Sequence, residues 1–175
     1  MGLDNRIKYT KSVINEAFFK LLQDRNVVDI TVTDICKLAE INRATFYRDY
    51  DNQYDLLEAI ETEMFDDITK AAIVQSKDIN EAVFNVLKLL DANKEKCLLL
   101  FGESSGSRLL PRIYKFFASY YKTDSLPPER RLRYSFLLYG FSGIIEDWLK
   151  TNCALPYEKL AENLVVLKND VMKKQ

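Results

Sequence analysis

No histidine occurs anywhere in the chain. The side chain that most often acts as a general base near neutral pH, and most often ligates metals, is therefore missing. Cysteine is sparse as well. Cys36, Cys97 and Cys153 stand far apart, and no pair has the spacing of a zinc site. Neither a metal nor a cofactor is expected. An odd number of dispersed cysteines in apolar helical settings reads as free, buried thiols of a reduced, cytoplasmic protein. Glycine (5) and proline (4) are also scarce, a balance that excludes disordered and collagen-like chains and suits a compact helical one. There is no phosphate-cradling glycine loop and no plausible nucleophile–base pair, so an enzyme is not expected.

Long apolar runs are missing too. The longest uncharged stretch, Tyr134 to Ile145, is too short to span a bilayer and better suits a buried helix. The N-terminal MGLDNRIKYTKS lacks the apolar core of a signal peptide. It begins Met-Gly, but Lys8 lies near the place where a myristoylation signal has a small hydroxyl residue. No membrane partner is expected. Nor is there excess charge of either sign: 25 basic and 26 acidic residues leave a net charge of −1. Any nucleic-acid contact must rest on a local surface.

What is present is helical periodicity. With 175 residues, 47% of them hydrophobic, the chain can bury a sizeable core in one or two small domains. Ile7, Val13, Ile14, Ala17, Phe18, Leu21 and Leu22 fall on one face of a helix expected from about Asn5 to Asp24. Thr31 and Asp34 have the spacing of a capping box opening a short helix, about Val32 to Ala39, with Ile35, Leu38 and Ala39 inward. After the break Glu40-Ile41-Asn42, Asn42 suits the N-cap of a helix from about Arg43 to Asp49. Asp51 and Asn52 open a longer helix carrying Tyr54, Leu56, Leu57, Ile60, Met64, Phe65 and Ile68. The apolar pattern resumes at Val83, and a short helix, about Lys94 to Phe101, precedes the loop GESSGS. Further helices are expected through Pro111 to Tyr121, from LPPERR to Lys150 with Pro at or near its first position, and from Pro156 onward. The expected fold is all-α with about nine helices and no strand of any strength.

Two short helices joined by a tight turn, the second rich in polar groups, have the sequence form of a helix-turn-helix. Ala39, Ile41, Phe46 and Tyr50 can hold the second helix against its neighbours. Its other face then projects Arg43, Thr45, Tyr47 and Arg48. Arginine can bridge guanine O6 and N7 or a phosphate with two parallel hydrogen bonds. Hydroxyls and backbone N–H groups near the helix start suit phosphate oxygens. Thr33 and Lys37 lie on the side of the first helix that would cross the DNA backbone. The candidate DNA-binding set is thus Thr33, Lys37, Asn42, Arg43, Ala44, Thr45, Tyr47 and Arg48.

From about Ile7 to Leu57 the chain resembles the TetR family of bacterial transcriptional regulators. The resemblance is carried by Thr31-Val32-x-Asp34-Ile35, Ala39, Ile41, Arg43-x-Thr45-Phe46-Tyr47-x-x-Tyr50 and Asp55-Leu56-Leu57. The remainder is similar to the C-terminal region of regulators from low-GC Gram-positive bacteria, through LLLFGESSGS and YGFSGIIEDWL. The resemblance implies an N-terminal DNA-binding domain over 1–52 and a helical dimerisation and effector domain over 53–175. It also implies a homodimeric repressor on a pseudo-palindromic operator in duplex DNA. Three departures from the family pattern stand out. Glu40 replaces a turn glycine, Gln53 replaces a phosphate-touching lysine, and Asp49 puts a carboxylate near the DNA surface. Up to Tyr54 eight basic residues face eight acids.

The second region is aromatic. Phe117, Tyr121, Tyr139 and Phe141 are the candidates to line a pocket for a small-molecule effector of unknown class, against the alternative of plain core or dimer interface. The helix ending at Lys150 is apolar nearly all round and must be covered on two sides. Tyr139, Gly140, Gly143, Trp148, Leu160 and Leu164 are therefore the candidates for a dimer interface, with the glycines allowing close helix approach. Two other readings stay open: an activator, or a helical interaction module of the same fold that no longer binds an operator.

Overall fold

The computed structural model describes residues 3–102 and 105–173. Among these residues there are nine α-helices and no strand. They are α1 Leu3–Leu22, α2 Val32–Leu38, α3 Arg43–Tyr47, α4 Gln53–Thr69, α5 Ile79–Ala92, α6 Lys94–Phe101, α7 Leu109–Tyr120, α8 Pro128–Lys150 and α9 Tyr157–Met172. Helix starts follow local chemistry. The Asn52 side chain accepts from the backbone N–H groups of Tyr54 and Asp55 at the head of α4, at 2.8 and 3.1 Å. Asp78 does the same for Asn80 and Glu81 at the head of α5. Pro128 opens α8, where a missing N–H costs nothing. The expected loop GESSGS lies partly outside the described residues, at Glu103 and Ser104.

The chain forms two compact units. The first runs up to Glu63 and takes in Leu99–Ser107, and the second comprises Met64–Leu98 and everything from Arg108 on. The boundary expected after residue 52 thus falls inside the first unit. Leu56, Leu57 and Ile60 of α4 are buried. The return of 99–107 was also not foreseen. There Ser105 is fully buried, its hydroxyl donating to the carbonyls of Leu100 and Gly102. Gly106 has φ +62°, and a Cβ on it would lie 3.5 Å from Val27 Cγ1.

The first unit is built on Ile14, Phe18, Ile30, Ile35, Phe46 and Leu56, all fully buried. One expectation fails here. Leu38 is exposed, and Cys36 takes the inward position with Ile35. Helical spacing allows either residue to flank Ile35, but a helix of seven residues has only one narrow buried side. In the second unit α5 packs along α9 and α8 packs on α7 and α9. Phe84 meets Tyr157 edge-on at 5.4 Å, and Lys168 Nζ donates to Asn80 Oδ1 at 2.8 Å. A π-helical turn, Lys70–Val74, extends α4 and was not expected from the sequence.

Trp148, Leu160 and Leu164, expected at a dimer interface, are instead buried within the chain. Trp148 Nε1 donates to the Leu155 carbonyl at 2.7 Å, across the link to α9. The opposite side of α8 is open: Leu132, Phe136 and Tyr139 are each more than 60% exposed. Gly140 and Gly143 sit beside this open side, and among the described residues neither has an atom from beyond its own helix within 4 Å of a Cβ position. No close helix approach among the described residues uses them. Among the described residues no helix is long and apolar enough to cross a membrane.

Candidate nucleic-acid interface

The turn between α2 and α3 is set by hydrogen bonds that the sequence already implies. Thr31 and Asp34 form a reciprocal capping box: Asp34 N–H donates to Thr31 Oγ1 at 3.2 Å, and Thr31 N–H donates to Asp34 Oδ2 at 3.1 Å. The Thr31 hydroxyl also donates to Asp34 Oδ2 at 2.7 Å, and this bond, the one from the Thr31 backbone N–H and the charges of Arg25 and Lys37 hold the Asp34 carboxyl below its ordinary pKa. At the far end of α2, Ile41 N–H reaches back to the Cys36 carbonyl at 3.0 Å. That closure requires a left-handed residue just before Ile41. Glu40 supplies it, with φ +53°, as its place at a family glycine suggests.

Asn42 then caps α3. Its Oδ1 accepts from the Thr45 backbone N–H at 2.8 Å and from the Thr45 hydroxyl at 2.9 Å. Phe46 is fully buried and contacts the Tyr50 ring at 5.6 Å. Tyr50 is buried too. Burial, helped by the nearby carboxylates of Glu63, Asp49 and Asp55, pushes its hydroxyl up to about 12, so it stays neutral. With these anchors inside, Asn42, Arg43, Ala44, Tyr47 and Arg48 are exposed, and Thr33 and Lys37 are exposed on α2.

Several of these groups already have partners. Arg43 Nη2 donates to Thr33 Oγ1, tying α3 to α2. Arg48 Nη2 donates to Asp49 Oδ2 at 2.7 Å. Thr45 is half-buried and its hydroxyl hydrogen goes to Asn42, so it is a capping group more than an outward donor. The Arg43–Thr33 tie spans ten residues and had no local signal. The Arg48–Asp49 pair did have one, since adjacent opposite charges at a helix end were visible in the sequence. Among the described residues no cluster of three or more His, Cys, Asp or Glu could hold a metal.

The aromatic residues of the second unit divide into two groups. Phe117 stacks with Tyr121 at 6.3 Å, and Tyr121 leans on Tyr134 at 6.1 Å. Tyr139 instead stacks on Tyr114 at 4.2 Å, on the open side of α8. Phe141 is half-buried. A recess of about 360 Å³ lies at the α5–α6 junction, lined by Asp91, Ala92, Asn93, Lys94, Glu95 and Lys96. None of the four expected pocket residues lines it.

Residues 77–170 match a TetR-type family model described as a transcriptional regulator C-terminal region. The uncharacterized HTH-type transcriptional regulator YxbF of Bacillus subtilis (strain 168) is 27% identical over 173 residues, covering 93% of this chain and 45% of YxbF. The chain therefore spans about half the length of that relative. Among solved structures, the dihydroxyacetone kinase operon activator DhaS aligns with TM-score 0.57 and 23% identity, over 91% of this chain and 93% of its own. The fatty acid degradation regulator FadR of Bacillus halodurans gives TM-score 0.63 at 15% identity, over 95% and 97%. LfrR of Mycobacterium smegmatis, solved with proflavine, gives 0.51 at 18%, over 95% and 99%. At these identities the structural matches establish the all-α fold. The family model covers more than half of the chain, which thus belongs to the TetR family of transcriptional regulators.

Proposed function

We propose that this chain is a sequence-specific DNA-binding repressor that acts as a cytoplasmic homodimer on a pseudo-palindromic operator. The observation that carries the reading is the division of α3. Phe46 and Tyr50 anchor it, while Arg43, Ala44, Tyr47 and Arg48 stand exposed on a helix capped by Asn42. Such a helix fits the major groove, with Arg43 on a guanine edge and the Tyr47 hydroxyl on phosphate. Residues 1–52 carry the DNA contacts and the helices from 53 on carry dimerisation. A small-molecule effector acts through the aromatic residues of the second unit, with Phe117, Tyr121 and Tyr134 as the cluster to test.

The test is selection of bound duplexes from a random pool, followed by gel shifts at rising salt. The expected result is a two-fold-symmetric consensus whose affinity falls steeply with salt. A pool that stays random overturns the reading. A second reading, an interaction module of the same fold without operator binding, is favoured by one observation. Asp49 already occupies Arg48, one of the two cations between Asn42 and Tyr50.

A further inference from the structure

Thr33 lies on α2, the side of the motif that crosses the DNA backbone, and a direct phosphate contact is the obvious role for it. Its observed partner is Arg43. The guanidinium donates from Nη2 to Thr33 Oγ1, and both residues are exposed. A guanidinium has five N–H donors in one plane. Holding one Nη2 hydrogen on a fixed oxygen leaves the others arranged as a fork with a set direction. An unrestrained arginine has several flexible torsions and must order them on binding. The anchoring oxygen is itself well placed. Thr33 sits in the first turn of α2, two residues after the capping Thr31, so its backbone is fixed by the capping box.

Resting on the DNA-binding reading above, we infer that Thr33 is a positioning residue: it pre-orients Arg43 for base recognition and makes no essential phosphate contact of its own. The two roles leave different traces. A phosphate contact adds the same affinity to every sequence. A positioning contact adds affinity only where Arg43 meets its preferred base, and it vanishes when Arg43 is absent.

The experiment is a double-mutant cycle on full-length protein with the selected operator, an operator changed at the base pair lost in Arg43→Ala selections, and unrelated duplex. Thr33→Val keeps the shape of the side chain and removes the acceptor, whereas Thr33→Ser keeps the acceptor. Thr33→Val should weaken operator binding by about fivefold, the scale of one modest hydrogen bond. Binding to the changed operator and to unrelated duplex should stay the same. In the Arg43→Ala background Thr33→Val should have no further effect, and Thr33→Ser should bind like the wild type. Equal loss on all duplexes, or full additivity with Arg43→Ala, overturns the positioning role while leaving the DNA-binding reading intact. A wild type that selects no duplex overturns both, since Arg43 then has no base to meet. Circular dichroism of each variant checks that the helices persist.

Discussion

Arg48 donates a hydrogen bond to the Asp49 carboxylate at 2.7 Å, so the last cation of the candidate interface is neutralised by its own neighbour. A phosphate approaching Arg48 must compete with that carboxylate, which also repels it. Asp49→Asn should therefore tighten binding to all duplexes. With Asp49 gone, Arg48 would release a counterion on meeting phosphate. The slope of log affinity against log salt should then steepen by about 0.9. Gel shifts between low and moderate salt check both. Unchanged affinity and slope would place Arg48 outside the contact surface.

The second prediction concerns the turn. Glu40 has φ +53°, a conformation that costs a residue with a Cβ about 1–2 kcal/mol. Glycine reaches it freely, although it also loosens the unfolded chain. Glu40→Gly should leave the melting temperature equal or raise it. A clear drop in midpoint would show that the Glu40 side chain contributes something the backbone argument omits.

A third prediction follows from the capping box. Hydrogen bonds from the Thr31 hydroxyl and backbone hold the Asp34 pKa below its ordinary 3.8. A depressed carboxylate stabilises the folded chain above its unfolded pKa, and that contribution fades as pH falls through the lower, folded value. Stability should therefore decline below pH 3.8 partly on account of Asp34. Asp34→Asn should lower the midpoint at neutral pH and flatten the acid limb of a melting-temperature profile. An acid limb identical to the wild type removes Asp34 from the list of groups responsible.

Much of this architecture is legible in the residues because local rules set it. Thr31 with Asp34, Asn42 before α3, and Pro128 at the head of α8 each announce a helix start through a backbone donor that needs a partner or is absent. Phe46 and Tyr50 are inside, as their spacing predicts. The readings that fail depend on contacts between distant segments. α8 is apolar nearly all round, so periodicity could not say which side the chain itself would cover. Trp148 turned out to be on the covered side and Phe136 on the open one. Leu160 and Leu164 went the same way, buried within the chain instead of at an interface. The tie between Arg43 and Thr33 was equally hidden, because nothing in either residue's neighbourhood signals a partner ten positions away.

The last prediction uses that open side of α8. Leu132, Phe136, Tyr139 and Gly143 recur at helical spacing, and the three large residues are each more than 60% exposed in a single chain. A second copy placed against this face would cover them by an isologous contact with C2 symmetry. To read successive major grooves, the two copies of α3 in such a dimer must stand about 34–36 Å apart. Gly143 separates this scheme from a monomeric one. Among the described residues no atom beyond its own helix lies within 4 Å of a Cβ built on it, so the first carbon of a larger side chain has open space. Replacing a mid-helix glycine by leucine should even favour an isolated helix, by roughly 0.5–1 kcal/mol. Gly143→Leu should accordingly leave circular dichroism and the intrachain core intact. In a dimer packed on this face, the added side chain overfills the contact and forces the copies apart. Sedimentation at micromolar concentration should show the wild type as a dimer and Gly143→Leu as a folded monomer with weakened operator binding. A wild type that sediments as a monomer removes the dimer altogether. A Gly143→Leu protein that stays dimeric and still binds the operator keeps the dimer but moves its interface away from Gly143.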